Sequence, residues 1–305
     1  MKILVTGAQG FVGRHVVAHL QACGHEVVRV VRNPAQGCIA VGDMARFQGW
    51  DALLEGVECV MHLAARAHQI KDRAEDPYAA FYAANVTATQ HLVDACVRVG
   101  VPHFIYLSTV AVCGYDSSDA PYDASSYAPY NPYSSTKAQA EALVKSCGIP
   151  ATIMRIPIVY GAGVRANFLS LMRYVDRGVP LPFGQVCNQR SVLYVGNLAH
   201  ALEQCARTPA VHGATLMIAD SAPLSSKELV GMIADALGTK ARLVPMPPMW
   251  VRAITGLCGK EMIYHKLYGS LHMDCTPSYE VLDWMPPYIT QQGLRETVAW
   301  FRTMP

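Results

Sequence analysis

The sequence predicts an α/β fold, a doubly wound parallel sheet with a smaller, interleaved C-terminal cap. Three observations carry this. Short apolar runs alternate with helical patterns through residues 1–160. A glycine triplet follows the first apolar run and opens the first helical pattern. Beyond Gly161 the texture changes: prolines cluster (Pro180, Pro182, Pro245, Pro247, Pro248) and the elements become shorter and less regular. A chain of 305 residues, 51% hydrophobic and 16% charged, can bury a core of this size.

The elements follow in order. Runs at 3–5, 27–31, 60–63, 104–107 and 152–156 are apolar or nearly so. Continuous apolar runs of this length suit strands buried on both faces of a parallel sheet. Helical patterns occupy 12–23, roughly 78–99, and 133–147. Alternation of the two implies right-handed crossovers. The expected division is a dinucleotide-binding Rossmann domain over 1–160 and a substrate-binding cap over 161–305, with some cap segments returning to the first domain.

Composition excludes several classes of function. The net charge is +2 with both signs scattered, so no basic stripe for nucleic acid is expected. No apolar run reaches the ~18 residues of a membrane span, and the apolar stretch 246–257 reads as a cap helix or lid. The N-terminus enters a strand at once, MKILVTG, without a signal-peptide pattern. Ten cysteines without a C-x-x-C pair suit thiols in a reducing cytoplasm, where the protein is expected to act.

Gly7, Gly10 and Gly13 in TGAQGFVG lie between a strand and a helix. The first glycine permits the tight turn, the second a close approach of backbone to a pyrophosphate, and the third close packing of helix on strand. The helix N-terminus then offers free N–H groups to phosphate. The second strand ends at Val31-Arg32-Asn33. An acid there would accept from the ribose 2′-OH of NAD; Arg32 instead suits a 2′-phosphate or stacks on adenine, leaning toward NADP. Asp43 and Met44, after the third strand, are placed to reach the adenine.

Tyr133 and Lys137 are i and i+4 on a helix and share one face. A free tyrosine, with a pKa near 10, is a poor base at neutral pH. A nearby ammonium favours the phenolate. Thr109 lies at the end of a strand, where such sheets open on the cofactor crevice, and can hold a substrate oxygen and relay its proton. Other signals are discounted. His15 and His19 have the spacing of a zinc pair but no third ligand in sequence, so no metal is expected. His62 reads as structural at a strand end. Asn85-Val86-Thr87 matches a glycosylation sequon in a chain expected to be cytoplasmic. No G-x-S-x-G elbow is present.

With these residues in hand, the chain resembles an extended short-chain dehydrogenase/reductase of the nucleotide-sugar epimerase/dehydratase family. The matching pieces are TGAQGFVG, GDM at 42–44, HLAA at 62–65, NVTAT at 85–89, LSTVAVCG at 107–114, YSSTK at 133–137, RIPIVYG at 155–161 and RSVLYVGNLAHAL at 190–202, with the ending LDWMPPYITQQGLRETVAWF. The resemblance implies bound NAD or NADP, a UDP- or dTDP-sugar in the cap, and hydride transfer at a sugar carbon. It places Gly7, Gly10, Phe11, Val12, Gly13, Arg32, Asp43, Met44, Leu63, Ala64, Ala65, Ser108, Lys137 and Pro157 on the cofactor. It puts the catalytic hydroxyl on Thr109, beside Tyr133 and Lys137. Thr109, Tyr133, Asn167 and Arg190 fall toward the nucleotide sugar, the last two at its diphosphate, which an arginine fork suits. It also implies a homodimer packed through the helices at 85–99 and 133–147, with Tyr78, Phe81, Tyr82 and Leu92 as surplus apolar surface.

The chain departs from its relatives at telling places. The 4,6-dehydratases carry Asp-Glu directly after the catalytic threonine; here Val110-Ala111 supply no acid for eliminating water. The GDP-fucose synthases carry cysteine at the Ala111 position, so 3,5-epimerisation is disfavoured too. Ile158 replaces a frequent Asn, and Arg190-Ser191 the usual Arg-Asp. What remains is redox at a carbinol carbon, expected at C4. The leading expectation is a UDP-hexose C4-epimerase, possibly for an N-acetylated sugar. The runner-up is an NADPH-dependent 4-keto-6-deoxy nucleotide-sugar reductase, toward which Arg32 leans. A non-catalytic NADP(H)-sensing regulator is opposed by the intact Thr109, Tyr133 and Lys137.

Overall fold

The computed structural model describes residues 1–67, 75–257, 264–265 and 268–304. Its first half runs β1 (Lys2–Thr6), α1 (Phe11–Ala22), β2 (Glu26–Val31), β3 (Ile39–Ala40), α2 (Trp50–Leu54), β4 (Cys59–His62), α3 (Pro77–Tyr82), a π turn (Ala83–Thr87), α4 (Ala88–Val99), β5 (His103–Thr109), α5 (Pro132–Lys145) and β6 (Ala151–Ile156). The second half holds β7 (Ile158–Tyr160), α6 (Ala166–Asp176), β8 (Val192–Tyr194), α7 (Val195–Arg207), β9 (Thr215–Met217), α8 (Ser226–Leu237), α9 (Pro248–Leu257), α10 (Thr276–Leu282) and α11 (Thr290–Phe301). The expected cap helix at 246–257 is thus present as α9.

Seven strands form one sheet in the order β3-β2-β1-β4-β5-β6-β9, and every neighbouring pair is parallel. The inner strands β1, β4 and β5 are largely apolar because helices cover both faces. One face carries Ile3, Val5, Met61, Ile105 and Met154 against α1 and α7. The other carries Leu4, Val60, Phe104 and Tyr106 against α2, α4 and α5. The order reverses between β1 and β4, so a crevice opens at their carboxyl ends, where Gly7 and Leu63 lie.

The cap interleaves with this sheet. β9 returns to the sheet edge, while β7 and β8 pair separately. Phe168, Met172, Phe183, Val230, Ile233 and Leu294 build the cap's own core. Buried Asp220 pins the junction, accepting from Tyr160 Oη (2.8 Å), Asn197 Nδ2 (2.8 Å) and the Tyr194 N–H (3.0 Å). Burial raises its pKa against the pull of those donors.

Two expectations need correcting. The helix anticipated over 78–99 is divided, because the π turn carries Asn85 inward. There its side chain accepts from the Arg66 N–H (2.8 Å) and donates to Arg66 O and to Thr136 Oγ1, which brings the chain after β4 against α5. Asn85 is 1% exposed, so the sequon amide is wholly committed. Phe81 and Leu92 are buried within the chain, which leaves Tyr78 and Tyr82 as the exposed members of the apolar set expected at a dimer interface.

Gly13 is the tightest of the three glycines in the first turn. A Cβ there would lie 2.1 Å from the Gly7 carbonyl oxygen and 2.9 Å from Ala8 Cα. Gly13→Ala is expected to push α1 off the turn and cost about 1–3 kcal/mol, read as a lower denaturant midpoint. An unchanged midpoint would show that the turn can relax.

Candidate active site

The turn after β1 is shaped for an anion. Gly7 has φ +68°, and a Cβ there would meet the Ala64 backbone at 3.0 Å. Gly10 is exposed and caps α1 without a side-chain hydrogen bond, so the helix N-terminus faces the crevice bare. Phe11 packs toward the cap core and Val12 into the sheet core, so both offer a ligand backbone N–H groups. These features fit a dinucleotide diphosphate.

Around this turn the other residues expected at the cofactor fall as follows. Arg32 is exposed just past β2. Asp43 is exposed, accepts from the Ala45 N–H and pairs loosely with Arg46 at 3.8 Å. Met44 leans on the core under β2. Leu63 is half-buried, Ala65 is exposed, and the Ala64 N–H donates to Thr6 Oγ1 (3.2 Å). His62 proves structural: Nε2–H donates to Thr89 Oγ1 (3.0 Å), whose own proton goes to Asn85 O, and Nδ1 accepts from Thr6 Oγ1 (2.7 Å). Burial, with the Lys137 charge, drops its pKa to about 3 and keeps it neutral.

Tyr133 is held by the start of α5. Asn131 caps the helix, its side chain accepting from the Ser134 N–H while Ser134 Oγ accepts from the Asn131 N–H, and Pro132 fills the first turn. This brings Tyr133 near Thr109, whose hydroxyl accepts from the Ala111 N–H (3.2 Å). One turn on, Lys137 Nζ donates to Leu107 O (2.6 Å) and lies 3.9 Å from the centre of the Tyr106 ring. The electrostatics differ from the simple expectation. Burial lowers the Lys137 pKa to about 7, opposed by Glu141, and burial raises the Tyr133 phenol, opposed by Thr109. In the protein alone desolvation dominates both groups, and the phenol stays protonated.

A further turn along α5, Glu141 meets Arg155 of β6 in a fully buried bidentate pair, Nη2–Oε2 2.7 Å and Nε–Oε1 3.0 Å. Ser108 Oγ donates to Glu141 Oε1 (2.5 Å), so its hydroxyl points away from the crevice and only its backbone can face a cofactor. Arg155 Nη1 also donates to the carbonyls of Ala124 and Ser126 in the loop before α5.

Beside Thr109 opens a cavity of about 220 Å³, whose lining includes Ala111, Tyr115, Tyr130, Pro157, Arg190 and His265. Arg190 Nη1 donates to Gly269 O (2.8 Å); burial lowers its pKa, and Asp116 and Tyr130 oppose that. The structure therefore brings Arg190 together with Thr109 and Pro157. Asn167 stands apart, exposed in the first turn of α6 and outside this lining. Glu141, Arg155, Tyr115, Tyr130 and His265 were not singled out from sequence. Glu141 could have been, since it continues the i, i+4 series of Tyr133 and Lys137.

The chain has close relatives. The description "NAD dependent epimerase/dehydratase family" matches residues 3–219. A UDP-glucose 4-epimerase of Vibrio cholerae is 34% identical, over 98% of this chain and 95% of its own length. A dTDP-glucose 4,6-dehydratase of Streptomyces griseus is 29% identical over 98% of this chain and 93% of its own. The solved structure of MoeE5 in complex with UDP-glucose and NAD is 27% identical and covers 99% of each chain at a TM-score of 0.79.

Lys137 links the site to stability. Between its folded value near 7 and its unfolded value near 10.5, the unfolded chain binds the extra proton, so stability rises with pH across that window. Below pH 7 the burial penalty is fully present. Denaturant unfolding of Lys137→Met against wild type should therefore favour the variant most at pH 6, with the difference shrinking toward pH 10. A pH-independent difference would show that Lys137 does not carry this penalty.

Proposed function

This chain belongs to the NAD dependent epimerase/dehydratase family, and on that premise we propose that it is a C4-epimerase of a UDP-hexose, open to N-acetylated sugars. The observation that carries the reading is the approach of Tyr133 to Thr109, which lines a cavity together with Arg190. NAD held at the glycine turn would supply a two-electron acceptor in one half-reaction and a donor in the other. With NAD bound, the positive charge of its nicotinamide would join that of Lys137 in favouring the Tyr133 phenolate; as phenolate Tyr133 takes the proton of the C4 hydroxyl, through or beside Thr109, and returns it after the ring has turned over. Thr109 holds the oxygen in line. General acid–base help of this kind is worth on the order of 10²–10⁴ in rate. Arg190, a half-buried cation at the cavity wall, suits the substrate diphosphate. Val110 and Ala111 line the cavity and carry no acid, which sets the site against dehydration. The 34% identical epimerase supports the same reading.

The assembly we propose is a cytoplasmic homodimer that uses the α4 and α5 face, flanked by exposed Tyr78 and Tyr82. One observation favours a second reading. Arg32, exposed at the end of β2, suits the 2′-phosphate of NADP and so a 4-keto-6-deoxy nucleotide-sugar reductase.

A single experiment separates them. Purified protein is mixed with UDP-glucose or UDP-GlcNAc without added cofactor, and the C4 epimers are followed by NMR. Product is expected, and Tyr133→Phe should lose at least a hundredfold of the rate while keeping its co-purified NAD. No product from either sugar, with NADPH-dependent reduction of a 4-keto-6-deoxy nucleotide sugar, would replace the epimerase by the reductase.

A further inference from the structure

At the end of α1 remote from the glycine turn, side chains with metal-ligand chemistry converge. His19 and Cys23 are i and i+4, and His19 Nε2 lies 3.7 Å from Cys23 Sγ. Glu203 reaches them from α7. One ligand atom from each of the three lies within 4.8 Å of the other two. The histidine pair visible in sequence is not the site, because His15 Nε2 is engaged by the Ala162 carbonyl at 2.8 Å. The third ligand that the local sequence lacks is supplied by the facing helix.

We propose that His19, Cys23 and Glu203 bind one divalent transition-metal ion, zinc above all, with water completing a tetrahedron. Imidazole, thiolate and carboxylate are the usual zinc donors. Ligands at zinc–nitrogen and zinc–sulfur distances of about 2.1 and 2.3 Å stand about 3.6 Å apart across a tetrahedral angle, close to the separation present. Cys23 is exposed, which leaves a solvent side for the water. The carboxylate already has an outer partner: His25 Nε2 lies 3.1 Å from Glu203 Oε1, so binding through Oε2 keeps that contact. Arg207, also on Glu203 at 3.4 Å, is exposed and free to swing away. Cys23 is the C-cap of α1, whose terminal carbonyls favour a cation. Burial, and then the neighbouring His200, push the His19 pKa down, against Glu203. His200 itself is not a ligand, since its Nδ1 accepts from Trp284 Nε1 (2.8 Å). Binding displaces the Cys23 thiol proton to solvent, and the ion staples α1 to α7 without touching the crevice.

The test is a titration of the metal-free full chain with Co²⁺. A thiolate-to-cobalt charge-transfer band saturating at one equivalent, and displaced by Zn²⁺, is expected. Cys23→Ser and His19→Ala should each abolish it, His15→Ala should leave it, and His25→Ala should weaken affinity about ten- to a hundredfold. Zn²⁺ should raise the Tm of wild type and not that of Cys23→Ser. No band, or a band that survives in Cys23→Ser or His19→Ala, would overturn the site; none of these readouts depends on the enzyme's reaction.

Discussion

The buried ion pair between Glu141 and Arg155 is the contact on which the site's geometry rests. It joins α5, which carries Tyr133 and Lys137, to β6. Its carboxylate also takes the Ser108 hydroxyl from β5, and its guanidinium holds the loop carbonyls of Ala124 and Ser126. Ser108 and Arg155 are register partners on adjacent strands, so one pair fixes a helix, two strands and the loop between them. Burying two charges costs several kcal/mol each before their attraction is counted, and the cost is recovered only when every lone pair and N–H is used. Here bidentate geometry and the extra donors meet that condition.

Two further constraints converge on the same crevice. The strand order reverses between β1 and β4, leaving a gap that the glycine turn borders. His62 and Asn85, both fully committed in hydrogen bonds, tie the segment after β4 to β1 and to α5. The result is a rim in which the Tyr133 phenol stands near the Thr109 hydroxyl. Desolvation at that rim brings Lys137 down to about 7, where its charge responds to small changes in its surroundings.

Much of this was legible in the sequence, for physical reasons that differ by element. β1, β4, β5 and β6 showed as apolar runs because helices pack on their faces, Gly7 because its turn needs a positive φ, and Gly13 because backbone crowding leaves no room for a side chain. Tyr133 and Lys137 showed because helical spacing is local. β9 did not, since three residues at a sheet edge carry no period of their own, and neither did the π turn, whose cause is the tertiary contact of Asn85 with Arg66. Phe81 and Leu92 looked like surface because apolarity alone does not say which neighbour covers a helix. His265 meets the cavity through its bond to Asp116 (3.0 Å), a pairing across the two halves of the chain that no local pattern encodes.

A double-mutant cycle on Glu141 and Arg155 tests most directly whether this pair organises the site. Glu141→Leu, Arg155→Met and the double variant would be compared by denaturant unfolding and by turnover. Each single change should cost about 3–5 kcal/mol, because it strands a buried partner. The double variant should cost at least 1 kcal/mol less than the sum, with turnover effects equally non-additive. Additivity within about 0.5 kcal/mol, with Tyr133 still active in both single variants, would contradict the account.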